Sequence, residues 1–237
     1  MAIKNTNIDG MFAAGAHFAF SRSRRHPTVA PYIFGVKNKV EIFDLEKTTE
    51  LLDKAKDFVK SLGKDSKIIL FVGGKSEARN SVKLGAQSLG MPFVDGRWIG
   101  GTLTNFVQIR KRVEKMEKLT MEREKGELAK YTKKERLLID REIANLERFF
   151  SGIVTMKDLP KAIFVIDPRK EKTAVKEALD LGIPVIALLG SDCNMKEVTH
   201  PIVGNDSSQT SIQFFVNQIT KAYSEGKLEG KTEAPKA

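Results

Sequence analysis

Three unbroken apolar runs constrain this chain more than any other feature. KIILFVGG (Lys67 to Gly74), KAIFVID (Lys161 to Asp167) and IPVIALLGS (Ile183 to Ser191) end on turn residues, and none alternates apolar with polar. A strand with one wet face alternates, whereas a continuous Val/Ile/Leu/Phe run suits a strand covered on both faces, as in a parallel sheet. VEIFDL (Val40 to Leu45) reads as a weaker strand of the same type. Helical patterns lie between the runs. LEKTTELLDKAKDFVKSLG sets Leu45, Thr48, Leu52, Ala55, Val59 and Leu62 along one stripe, with Gly63 as its stop signal. SEARNSVKLGAQSLG follows the first run and KEKTAVKEALDLG the second. A last helix runs through SSQTSIQFFVNQITKAYSEG, with Asp206 or Ser207 expected as its cap. Strand then helix, repeated, predicts right-handed βαβ units and an α/β fold with a parallel sheet flanked by helices.

Residues 106–150 interrupt that alternation. Phe106, Ile109, Val113 and Met116 form one apolar stripe, and Ile139, Ile143, Leu146 and Phe150 form another. A polar middle with Gly126 separates them, which predicts an inserted, protruding antiparallel hairpin with a coiled-coil seam. The expected organisation is a basic N-terminal segment (1–39), an α/β domain (40–105 and 151–223), the hairpin (106–150) and a disordered tail (224–237).

Charge is distributed unevenly over these parts. The chain of 237 residues carries a formal +10, a lean toward a polyanionic partner. Lys4, Arg22, Arg24, Arg25, Lys37 and Lys39 face only Asp9 within the first 39 residues, which places half of the excess there. Residues 107–150 supply a further +4. The sharpest cluster is SRSRRHP (Ser21 to Pro27), whose Ser, Arg and His side chains are donors for phosphate oxygens. A hydrophobic fraction of 41% excludes global disorder, and a single cysteine, Cys193, excludes an intrachain disulfide. No apolar run approaches the roughly 20 residues of a membrane span, and no signal peptide is expected. These features fit a reduced, soluble, intracellular protein.

Catalytic and nucleotide motifs fail where they are testable. GKS at Gly74, Lys75 and Ser76 lacks the earlier glycine of a phosphate loop, because Ile69 stands there. The Gly73–Gly74 pair reads as a tight strand-to-helix turn. Asp167 sits where α/β enzymes often keep an acid, but no second acid or His is placed recognisably beside it in sequence. Cys193 lacks an identifiable basic partner, so no nucleophile is assigned.

GRWIGGTLTNF (Gly96 to Phe106) joins the α/β domain to the hairpin and holds the only Trp. Arg97 can pair with phosphates, and Trp98 either offers a stacking face or plugs the joint. Gly100 and Gly101 suit a backbone turn, and Thr102 or Thr104 can cap the first hairpin helix. The candidate RNA contacts are thus Arg22, Arg24, Arg25, His26, Lys37, Lys39, Arg97, Trp98, Arg110 and Arg112.

RWIGGTLTN resembles the signature of the bacterial small-subunit ribosomal protein S2 family. AGAHF, PYIFGVKNKVEIFDLEKT, ILFVGGK, YTKKE, LPKAIFVID, LGIPVIAL and PIVGNDSS fall in the family's order and cover nearly the whole chain. The resemblance implies a flavodoxin/Rossmann-like α/β domain with a protruding coiled-coil hairpin, bound to rRNA on the back of the small subunit between head and body, in the cytoplasm. It also implies recruitment of ribosomal protein S1 for mRNA loading, and no catalysis. No cofactor, metal ligand set, membrane contact or small-molecule substrate is expected, and a magnesium ion at the RNA interface is not readable from sequence. Ala19-Phe20 replaces the family's usual Gly-His, Thr28 and Ala30 replace lysines, and Gly190 and Met195 replace Asp and Pro. The alternatives are a non-ribosomal nucleotide-binding regulator or enzyme on the same fold, and a free adaptor that binds a partner through the hairpin.

Overall fold

The computed structural model describes residues 6–233. Lys4 and residues 234–237 lie outside them. Five strands form one parallel sheet: β3 (Ile69–Val72), β4 (Phe93–Val94), β5 (Ala162–Ile166), β6 (Val185–Leu189) and β7 (His200–Val203), in the order β4-β3-β5-β6-β7. Every residue of β3, β5 and β6 is buried, as the continuous runs require. Successive side chains nevertheless serve different cores, because a strand turns alternate residues to opposite faces. Leu70, Val72, Ile163, Val165 and Ala187 feed one core, which α6 (Lys172–Asp180) covers with Ala174, Val175 and Ala178. Ile69, Phe71, Phe164, Ile166 and Leu188 feed the other. There they meet α2 (Leu45–Lys64), α3 (Ser76–Leu89) and α7 (Gln209–Glu233).

Helix α2 has the stripe its sequence predicts: Thr48, Leu52, Ala55 and Val59 are buried, and Asp44 caps its first turn through Glu46 and Lys47 N–H. α7 departs from expectation. Residues 224–233 continue the helix instead of forming the tail predicted from their glycines and charges. A Cβ at Gly226 or Gly230 would collide with the Lys60 or Lys64 carbonyl of α2. These glycines therefore permit close helix packing, and Glu229 locks it with ion pairs to Lys60 (2.5 Å) and Lys64 (3.2 Å). Val40–Phe43 is a second correction. It forms β2, paired antiparallel with β1 (Ile33–Lys37) in a separate two-stranded sheet. Asn38 and Lys39 turn this hairpin with φ of 51° and 65°, the left-handed pair that a two-residue β-turn needs.

α1 (Thr6–Ala13) leads the described chain, and α4 (Phe106–Glu124) and α5 (Lys133–Phe150) lie between β4 and β5. Ile109, Val113 and Met116 of α4 and Leu146 and Phe150 of α5 join the core that holds Trp98 and Leu103. Gly126 takes φ 74° just beyond α4, and Thr132 with Glu135 forms a reciprocal cap at the start of α5. Lys115 and Glu142 form an ion pair between the two helices. Asn105, not Thr102 or Thr104, occupies the position before α4, with no side-chain cap.

Candidate nucleic-acid interface

The loop 96–105 is held by a residue that the sequence reading did not single out. Glu177 lies on the apolar stripe of α6 and is only 7% exposed. Its carboxylate accepts from Trp98 Nε1 (3.0 Å), Gly101 N (2.8 Å), Leu103 N (2.9 Å) and Thr104 N (3.2 Å). Burial raises its affinity for a proton, but these donors more than offset that and hold the carboxyl below its ordinary range. Trp98, 7% exposed, is thus core. Of the two roles its sequence left open, the indole takes the plug of the joint, and its face is spent on packing and its Nε1 on Glu177. Gly101 takes φ 89°, whereas Gly100 has open space around it and no left-handed backbone, so only Gly101 needs to be glycine.

The other candidates divide into two groups. Arg25 is committed inward, with its guanidinium 2.8 Å from the fully buried Glu41 carboxylate. Arg110 donates to the Val154 carbonyl (3.0 Å) and pairs with Glu114. The His26 ring meets the Thr28 hydroxyl at 2.8 Å, and its Nδ1 accepts from Thr28 N. By contrast, Arg22, Arg24, Lys37, Lys39, Arg97 and Arg112 are exposed and make no ion pair among the described residues. Arg24 lies over the Phe20 ring at 5.4 Å. Lys37 and Lys39 flank the tip of the β1–β2 hairpin, Arg22 and Arg24 sit in a short 3-10 turn before it, and Arg97 projects from the braced loop.

Acidic side chains gather at the carboxyl ends of β5, β6 and β7, which corrects the reading of an isolated Asp167. Lys75 Nζ is 3.1 Å from Asp167, 3.5 Å from Asp206 and 3.3 Å from the Ser207 hydroxyl. Asp206 therefore faces Lys75 and is not the cap expected for α7. Burial pushes Asp206 up to about 6, aided by Asp167 and opposed by Lys75. Burial also drives the Cys193 thiol far above its ordinary range, which keeps it protonated and unreactive. Asp167, Asp206 and Cys193 place ligand atoms within 4.8 Å of one another, and the Lys75 ammonium supplies the positive charge among them. At the Gly73–Gly74 turn, Gly74 N donates to Glu171 Oε1 at 3.2 Å, so a protein carboxylate already uses that donor.

The strand order, covered on both sides by helices, defines a Rossmann-like doubly wound α/β protein with two long helices, α4 and α5, between its second and third parallel strands. A model of the family described as ribosomal protein S2 matches residues 11–226. The small ribosomal subunit protein uS2 of Sulfurimonas denitrificans is 42% identical over 217 residues, covering 92% of this chain and 84% of that protein. Its counterpart in Mesoplasma florum is 41% identical over 226 residues, covering 95% and 85%. The chain belongs to the ribosomal protein S2 family, and it is a structural protein, not an enzyme.

Proposed function

We propose that this chain is a structural constituent of the small ribosomal subunit that binds rRNA and helps recruit ribosomal protein S1 for mRNA loading. The observation that carries the rRNA reading is that six of the candidate cations are exposed and make no ion pair among the described residues. They lie on the 1–39 segment, the loop before α4, and α4 itself. Unpaired Lys and Arg gain affinity by releasing counterions from phosphates. Here α4 and α5 act as a protruding coiled-coil hairpin that lies along RNA or neighbouring proteins. The relatives named as small-subunit proteins support the ribosomal location, and S1 recruitment rests on the family resemblance.

The test is binding to small subunits depleted of their own copy of this protein, measured over a range of salt. A triple variant Arg22→Gln, Arg24→Gln, Lys39→Gln should bind at least about tenfold more weakly, with a log–log salt slope shallower by about 2 to 3. An unchanged slope would remove these residues from the interface. S1 recruitment is checked separately, by whether subunits lacking this chain lose S1 and regain it on addition.

A further inference from the structure

The doubly wound order creates a crevice that none of the assignments above uses. β3 and β5 are neighbours, yet the segments leaving them go to opposite faces. α3 packs Ala78, Val82 and Ala86 into one core, and α6 packs Ala174, Val175 and Ala178 into the other. Where two adjacent strands send their connections apart, a cleft opens outside their carboxyl ends. Here it is a cavity of about 520 Å³. Arg79 enters it from α3, Arg97 from the loop that Glu177 braces, and Lys170 from the turn after β5. All three are exposed, and none makes an ion pair among the described residues.

We propose that this crevice is a phosphate-binding site in which Arg79, Arg97 and Lys170 together hold a phosphate group of the RNA backbone, a refinement that rests on the rRNA-binding reading. Three like charges converging on one cavity repel one another until an anion arrives. Two guanidiniums supply the forked donors that match phosphate oxygens, and the Thr173 hydroxyl on the same lining adds another. The cavity is larger than a bare phosphate and has room for the flanking sugar. Glu171 is the one acid in the lining, and one of its oxygens is turned to Gly74 N. Burial raises that carboxyl above its ordinary range, opposed by the bond from Gly74 N and by the Lys170 charge. Because Glu177 fixes the loop, Arg97 is positioned before binding and loses little freedom on contact.

The experiment uses the full chain with two probes: depleted small subunits, and inorganic phosphate or a nucleoside monophosphate titrated by calorimetry. The variants are Arg79→Gln, Arg97→Gln and Lys170→Gln, singly and together, with Lys221→Gln, an exposed cation on α7, as a control. The triple variant should bind subunits at least about tenfold more weakly and flatten the salt slope by about 1, as expected for one lost phosphate contact, whereas the control should change neither. Glu171→Gln, which keeps an acceptor for Gly74 N, should bind two- to threefold more tightly, a gain that a merely structural role would not give. Wild-type binding that survives in the triple variant with an unchanged slope overturns the crevice and leaves the rRNA reading intact. If wild type ignores subunits yet binds free phosphate through these residues, the cavity is an anion site for a small phosphorylated ligand, and its assignment to RNA is overturned. Binding of neither probe overturns both.

Discussion

The carboxyl edge of the central sheet has two halves built on opposite rules. In one, Asp167, Asp192 and Asp206 at the ends of β5, β6 and β7 are matched by Lys75 and Arg169 in ion pairs at 2.6–3.5 Å. In the other, on the β3–β5 side, Arg79, Arg97 and Lys170 converge on an open cavity against Glu171 alone. Charges satisfied inside the protein hold it together, and removing one partner leaves the other buried and uncompensated. Charges left unsatisfied at the surface add little stability and are available to a partner. The same division runs through the N-terminal segment, where Arg25 is locked to Glu41 while Arg22 and Arg24 project.

Breaking the satisfied set should cost the most. Glu177→Ala strips the acceptor from Trp98 Nε1 and at least three backbone N–H groups. Denaturant unfolding should show a loss of about 3 to 5 kcal/mol. The wild-type contribution also has a defined pH window. The folded Glu177 carboxyl is held below the ordinary 4.5, so its stabilisation is complete above that value and lost as pH falls through the folded value. Arg25→Ala leaves the Glu41 carboxylate buried without its partner and should cost about 2 to 3 kcal/mol, less because Arg25 itself is partly exposed.

Asp206→Asn should have a smaller, pH-dependent effect. Its folded value of about 6 lies above the ordinary 3.8, so the native state binds the proton more tightly, and wild-type stability falls as pH rises between those values. The variant should lose that slope, a difference of about 1 to 2 kcal/mol across the window. The smallest effect on folding belongs to the unsatisfied set. Arg97→Gln and Lys170→Gln should each shift unfolding by less than about 0.5 kcal/mol. A large loss from either would show a structural partner there and erase the contrast between the two halves.

The sheet was legible because full burial on both faces leaves a continuous apolar run, and β3, β5 and β6 are such runs. The stripes of α2, α4 and α5 were legible for the matching reason at helical spacing. Val40–Phe43 was misassigned because a short apolar strand carries no signal for its partner. Its one polar residue misleads as well, because Glu41 lies on the buried face with Phe43 while Val40 is exposed. The last turns of α7 were missed because glycine reads as a helix breaker, while Gly226 and Gly230, four residues apart, place bare backbone against α2. Basic clusters located the cations but could not sort them. The carboxylates that claim Arg25 and Arg110 come from a strand and from the helix's own next turns, and only folding decides which Arg they reach. Glu177 left one trace, an acid three residues after Ala174 on an otherwise apolar stripe.

The most direct test is the salt dependence of binding to depleted small subunits, comparing wild type with a chain in which Arg22, Arg24, Lys39, Arg79, Arg97 and Lys170 are all Gln. The account predicts a steep slope for wild type and a much shallower one for the variant, with unfolding curves that nearly superimpose. Equal slopes from two equally folded chains would contradict it.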